Sequence, residues 1–160
     1  MFEHQVSQKV GIVGTGMVGS SFAYALMQRG IAAEMVLIDH ITERAVGETM
    51  DLNHGLSFAK PMKIIAGGYE DLAGAKVVVV TAGAAQSPGE SRLDLLARNA
   101  EIFRSVIIEI VKYNPNGIIL AATNPVDILT YIALKESNLP PAKVIGSGTI
   151  LDTSRFRFLL

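Results

Sequence analysis

The stretch 9-KVGIVGTGMVG-19 joins a short, continuously apolar run to three glycines spaced as G-x-G-x-x-G, and an amphipathic helical pattern, 17-MVGSSFAYALMQR-29, follows at once. Glycines gather in strand-to-helix turns for steric reasons alone, so the spacing by itself is weak. Its setting strengthens it. The run before it reads as a strand buried on both faces, the pattern behind it as a helix closed by Gly30, and a second apolar run, 34-EMVLID-39, ends in an acid 20 residues after Gly19. In such a unit Gly14 permits the tight turn, Gly16 lets the backbone approach a pyrophosphate at the helix N-terminus, and Gly19 lets helix and strand pack closely. An acid at the end of the second strand accepts hydrogen bonds from an adenosine ribose and repels a 2′-phosphate. Asp39 therefore predicts NAD rather than NADP.

The same rhythm continues outward. Further apolar runs at 62-MKIIAG-67, 76-KVVVVT-81, 117-GIILAAT-123 and 143-KVIG-146 bring the strands to six, separated mostly by helical patterns at 17–29, 42–54, 93–113 and 126–137. Strands alternating with crossover helices predict an α/β fold, a doubly wound parallel six-stranded sheet whose ligands sit beyond the carboxyl ends of the strands. Tyr69, just after the third strand, faces that crevice. The apolar stripe of residues 93–113 reads as core or subunit contact.

Composition removes whole classes of function. The 160 residues are 49% hydrophobic and 18% charged with a formal charge of −1, which suits one folded core and no basic surface for nucleic acid or an anionic membrane. There is no cysteine, hence no disulfide, thiolate nucleophile or Cys-ligated zinc, and no run approaches 18 apolar residues. With the polar start 1-MFEHQVSQ-8, these features predict a cytoplasmic protein. His4, His40 and His54 have no metal-ligand spacing, so no metal is expected. Asp51 and His54 read as a surface helical pair.

The strand-end loops carry the rest of the chemistry. The fourth strand empties into 81-TAGAAQSPGESR-92, the fifth into 121-AATNPVD-127, and the last helical pattern, 150-ILDTSRFRFLL-160, puts Asp152 and Arg155 on one face. Guanidinium groups, an amide and a carboxylate are what hydride transfer to a small 2-oxo acid needs. One guanidinium grips the substrate carboxylate, a second polarises the carbonyl, the amide orients its oxygen, and the carboxylate orients a histidine acid. That histidine is absent from this chain. Pro88 and Gly89 shape the first loop either as a solvated connection or as a lid that would carry Arg92 to the carbonyl on closing.

GIVGTGMVG, AGAAQSPGESRLDL, ATNPVDILTY and IGSGTILDTSRFRFLL, in this order, resemble the amino-terminal half of the bacterial L-lactate dehydrogenases, within the lactate/malate dehydrogenase family. The resemblance implies a Rossmann NAD-binding domain over residues 1–146, with 147–160 opening an otherwise absent substrate domain. It assigns Arg155 to the substrate carboxylate, Arg92 to the carbonyl, Asn124 to the substrate oxygen, Asp127 to the substrate pocket and Asp152 to the missing histidine. It puts Gln86 at the position that separates pyruvate from dicarboxylates. Around NAD it places Gly14, Gly16, Val18, Gly19, Asp39, Arg44, Tyr69, Gly83, Ala84, Ser105, Thr123, Asn124 and Ser147. It makes the Asn124–Pro125 bond cis, and it assigns Arg157 to a fructose 1,6-bisphosphate site. The implied partners are pyruvate or L-lactate and further copies of the chain, as a tetramer when intact. Without the histidine the 160-residue chain is expected to bind NAD but not to turn over. A malate or other 2-hydroxy-acid dehydrogenase, or a non-enzymatic dinucleotide-binding module, remain as alternatives.

Overall fold

Three consecutive valines, Val78, Val79 and Val80, are all buried, which a strand achieves only when both of its faces are covered. The computed structural model, which describes residues 8–160, shows how that cover is built. In chain order the regular elements are β1 (Lys9–Val13), α1 (Met17–Arg29), β2 (Glu34–Ile38), α2 (Thr42–Gly55), β3 (Lys63–Ala66), β4 (Val77–Val80), α3 (Arg92–Tyr113), β5 (Ile118–Ala121), α4 (Val126–Ser137), β6 (Val144–Gly146) and α5 (Ile150–Leu159). His4 lies outside the described residues. The six strands form one parallel sheet in the order β3-β2-β1-β4-β5-β6. This is the predicted doubly wound arrangement. The chain moves outward from β1 to β3, then returns to lay β4 on the other side of β1, so the order reverses between β1 and β4 and leaves a crevice at their carboxyl ends.

Neighbouring residues of a strand point to opposite faces, and each face carries its own core. Val13, Val36, Ile38 and Val80 face α3 and α4, where Phe103, Ile107, Ile110 and Leu129 meet them. Ile12, Met35, Leu37 and Ile64 face the other way, against Ala23, Leu26 and Met27 of α1 and Leu52 of α2. Full burial of a side chain such as Phe103 contributes about 1.5–3 kcal/mol. The two cores thus fix the helices to the sheet independently.

Element ends follow local chemistry. Gly30 ends α1 in the left-handed region at φ 58°, its N–H bonding the carbonyls of Leu26 and Met27. Helix α3 begins at Arg92, one residue earlier than the apolar pattern indicates, because the Ser91 side chain accepts from the Asp94 N–H and caps it. Leu93 is exposed, so the buried stripe of α3 begins later, at Asn99, and runs through Phe103, Val106, Ile107 and Ile110. The Asn124–Pro125 bond is cis. Helix α5 starts at Ile150, after a turn, and buries none of its residues.

Candidate functional site

The crevice is made by the turn after β1. Gly14 has φ 97°, a conformation that favours glycine, and its N–H donates to the Ile38 carbonyl at 2.8 Å, which pins the turn to the end of β2. A Cβ on Gly14 would lie 2.6 Å from the Ala82 nitrogen, and one on Gly19 would run into the Gly14 carbonyl. The turn and the helix are therefore packed as closely as the backbone allows. Gly16 differs: a Cβ there would meet nothing within 4 Å, because the residue faces open space at the start of α1. No side chain caps α1, so its first amides point at that space without a capping partner. A close cradle with unpaired backbone donors fits a pyrophosphate.

That space is a cleft of about 650 Å³. Gly14, Gly16, Asp39 and Arg44 line it from the turns after β1 and β2 and from α2, Tyr69 from the segment after β3, Gly83 and Ala84 from the loop after β4 and Ser105 from α3. Ile38, Ile102 and Val106 supply an apolar wall suited to a planar ring. Reading the α3 stripe only as core missed the last two, although Ile102, Ser105 and Val106 share a helix face by their spacing. Val18 and Gly19 do not line the cleft: Val18 is exposed on α1 and Gly19 packs beneath the turn.

Asp39 sits at the end of β2 with its oxygens engaged. Oδ2 accepts the Thr15 N–H at 2.8 Å and the Thr15 hydroxyl at 3.0 Å, and Oδ1 accepts the Ile41 N–H at 3.0 Å. Burial alone would raise its pKa, but the Ile41 and Thr15 amides, the Thr15 hydroxyl and the Arg44 charge overcome it and hold the carboxyl below the usual aspartate value. The acid stays ionised. Across the cleft, burial and the charge of Glu109 push the Tyr69 hydroxyl above its ordinary value, so it remains a proton donor.

The wall after β4 depends on a residue the sequence reading did not single out. Asn99, buried in α3, accepts the Ala84 N–H on Oδ1 at 2.7 Å and donates Nδ2 to the Ala84 carbonyl at 3.3 Å. Thr123 donates its hydroxyl to the Ala82 carbonyl at 2.8 Å, tying the end of β5 to the same strand. Beyond Ala84 the loop folds on itself. Arg98 grips the Glu90 carboxylate with Nε at 3.1 Å and a terminal nitrogen at 2.8 Å, and also holds the Ala85 carbonyl at 2.9 Å. The Ser87 amide and then the Arg98 guanidinium keep the Glu90 carboxyl below the usual range. Gln86 donates to the Glu90 carbonyl at 2.7 Å, and Arg92, exposed, opens α3.

The remaining expected residues lie outside this cleft. Asn124 and Asp127 are exposed at the end of β5 and the first turn of α4, and the Ser147 N–H donates to the Ala121 carbonyl at 2.9 Å. Asp152 and Arg155 pair at 3.2 Å on α5, which also carries Arg157 exposed. The chain thus assembles one cleft, while the residues expected at a substrate lie on exposed loops and on a helix that buries none of its residues. Asp51 and His54 are exposed on α2, and no ion pair joins them among the described residues.

Comparison with known proteins gives the family of the domain that forms the cleft. Residues 8–146 match the family model described as lactate/malate dehydrogenase, NAD binding domain. The chain is 54% identical over 152 residues to L-lactate dehydrogenase 1 of Clostridium acetobutylicum, covering 95% of this chain and 49% of that protein. It is 56% identical over 154 residues to an L-lactate dehydrogenase of Priestia megaterium, covering 96% and 48%. Among solved structures, a lactate dehydrogenase from a Medee basin deep-sea metagenome superposes with a TM-score of 0.92 at 52% identity, covering 95% of this chain and 49% of that one. The chain spans about half the length of the curated relatives it matches. It belongs to the lactate/malate dehydrogenase family, and residues 8–146 are its NAD-binding domain.

Proposed function

We propose that the chain is the cofactor half of an L-lactate dehydrogenase, which interconverts pyruvate and L-lactate. The observation that carries this reading is the cleft itself, with a lid loop rising from its β4 wall that presents an uncharged Gln86 and, at its far end, Arg92. A second carboxylate on the substrate would call for a cation at the loop; an amide suits the pyruvate methyl without adding charge. Relatives at 54–56% identity bearing the name L-lactate dehydrogenase support the same substrate.

In this reading bound NADH supplies the hydride. The chain's own residues hold and polarise. Backbone amides at the start of α1 take the pyrophosphate, Asp39 takes the adenosine ribose, and Arg44, Tyr69, Gly83, Ala84 and Ser105 enclose the rest, with Val18, Thr123 and Ser147 at the margin. Arg155 exchanges Asp152 for the substrate carboxylate as a two-bonded fork. Arg92 stabilises charge developing on the carbonyl oxygen, Asn124 orients it and Asp127 borders the pocket. Asp152 is then free to orient a histidine. Arg157 contributes to a fructose 1,6-bisphosphate site, and the intact enzyme works as a cytoplasmic tetramer.

The test compares two proteins. One is the 160-residue chain; the other joins it to the second half of the Priestia megaterium relative, and NADH absorbance is followed with pyruvate or oxaloacetate in excess. The chain alone lacks a positioned proton donor, a contribution of about 10²- to 10⁴-fold, so only the joined protein should turn over and it should prefer pyruvate. Preference for oxaloacetate would make the protein a malate dehydrogenase. Equal turnover by the chain alone would remove the missing histidine from the argument.

A further inference from the structure

The carboxylate expected to bind the cofactor's ribose is covered in the free chain. The Asp39 side chain is only 3% exposed although it stands at the cleft. An ionised carboxylate offers about four acceptor positions, and the fold takes three: both on Oδ2 through Thr15, and one on Oδ1 through the Ile41 N–H. Against the same Oδ1 lies the His40 imidazole, its Nδ1 at 2.9 Å, with an Arg44 terminal nitrogen further off at 3.8 Å. A ribose hydroxyl can reach Asp39 only if one of these groups leaves.

They are not equally easy to move. The Thr15 and Ile41 donors include backbone of the turns that close β1 and β2, so losing them would disturb the cleft. His40 is different, with its side chain 82% exposed and no other hydrogen-bond partner among the described residues. Its Nδ1 stands close to Oδ1 without an aligned hydrogen bond, and its ring can swing into water at little cost. Arg44, at its longer distance, can stay as the ribose enters.

We propose that His40 is a displaceable cover over Asp39, holding in the free chain the acceptor position that the adenosine ribose takes over, and so setting how strongly the cleft favours NAD over NADP. The proposal rests on the NAD reading of the cleft. Binding NADH must first push the imidazole aside, which costs affinity. A 2′-phosphate has no hydroxyl to give Asp39 at that position and is repelled by the bare carboxylate, so a polar cover beside Asp39 softens the discrimination. Removing His40 should widen it.

The experiment titrates NADH and NADPH by fluorescence into four proteins: wild type, His40→Ala, Asp39→Ala and the double variant. An exposed histidine is replaced, so His40→Ala should fold as wild type does. Loss of one competing contact corresponds to about a five-fold fall in the NADH Kd, with NADPH unchanged or weaker. In the Asp39→Ala background His40→Ala should have no effect on NADH. Wild-type binding with a His40→Ala Kd equal to or above it would overturn the proposal and leave the cofactor reading standing. A gain that persists without the Asp39 carboxylate would also overturn it. Failure of wild type to bind NADH would overturn the cofactor reading and the proposal together.

Discussion

Single residues in the cleft are held by contacts whose loss has a sign. Asn99→Leu would leave the Ala84 N–H and carbonyl without their side-chain partner at a part-buried position. The expected cost is about 1–3 kcal/mol, read as a lower urea midpoint, together with weaker NADH binding. An unchanged midpoint would mean that water replaces the amide. Asp39 gives a pH signature. Its folded-state pKa lies below the ordinary value, so the unfolded chain takes up the proton first as pH falls. The stabilisation is complete above the unfolded value of about 4 and is lost as pH drops below it through the folded value. The difference in urea midpoint between wild type and Asp39→Asn should shrink from pH 6 to pH 3; a constant difference would show that the carboxylate charge contributes nothing. Gly14, Gly16, Gly19 and Asp39 were legible because backbone geometry and ribose chemistry demand those types at that spacing. Asn99 was not, since an amide on an amphipathic helix shows nothing in sequence of the strand-end backbone it will meet. The approach of His40 to Asp39 Oδ1 was not legible for a similar reason, since it arises only in the folded turn.

At the scale of elements, burial separates what is fixed from what is loose. All six strands and the order of helices followed from apolar runs and their periods, but α3 began at a capping serine and buried its stripe only from Asn99 onward. Periodicity identifies the face of a helix; it does not say how far along that face the sheet extends. Helix α5 has the opposite character, with Ile150, Leu151, Phe156, Phe158 and Leu159 all exposed. In hydrogen exchange its amides should open first, while those of β1 and β4, paired on both sides at the sheet centre, should be the slowest. Protection of α5 equal to that of β4 would show that the helix has found a cover in solution. The loop after β4 lies between these extremes. Glu90→Gln removes the charge that Arg98 grips, and should speed exchange and proteolytic cleavage between Ala85 and Ser91 without moving the sheet amides. Unaltered cleavage would mean that the Gln86 and Ser87 bonds suffice to hold the loop.

Over the whole molecule, the sheet and its helices build one cleft. The two cores, the reversal of strand order at β1 and β4 and the glycine turn converge on one cleft, and the family match covers the same residues. Gln86, Arg92, Asn124, Asp127, Asp152, Arg155 and Arg157 were legible as types from the sequence, yet they lie on a loop, a strand end and helix ends that do not close around a pocket within this chain. Their types and spacing name them in the sequence; which of them meet is decided by folded contacts that residue types do not encode. The cleft, by contrast, is formed within this chain and should bind the cofactor as it stands. Calorimetric titration of the 160-residue chain at neutral pH tests this most directly: NADH should bind saturably at one site per chain and more tightly than NADPH, whereas no saturable binding, or NADPH binding as tight as NADH, would contradict it.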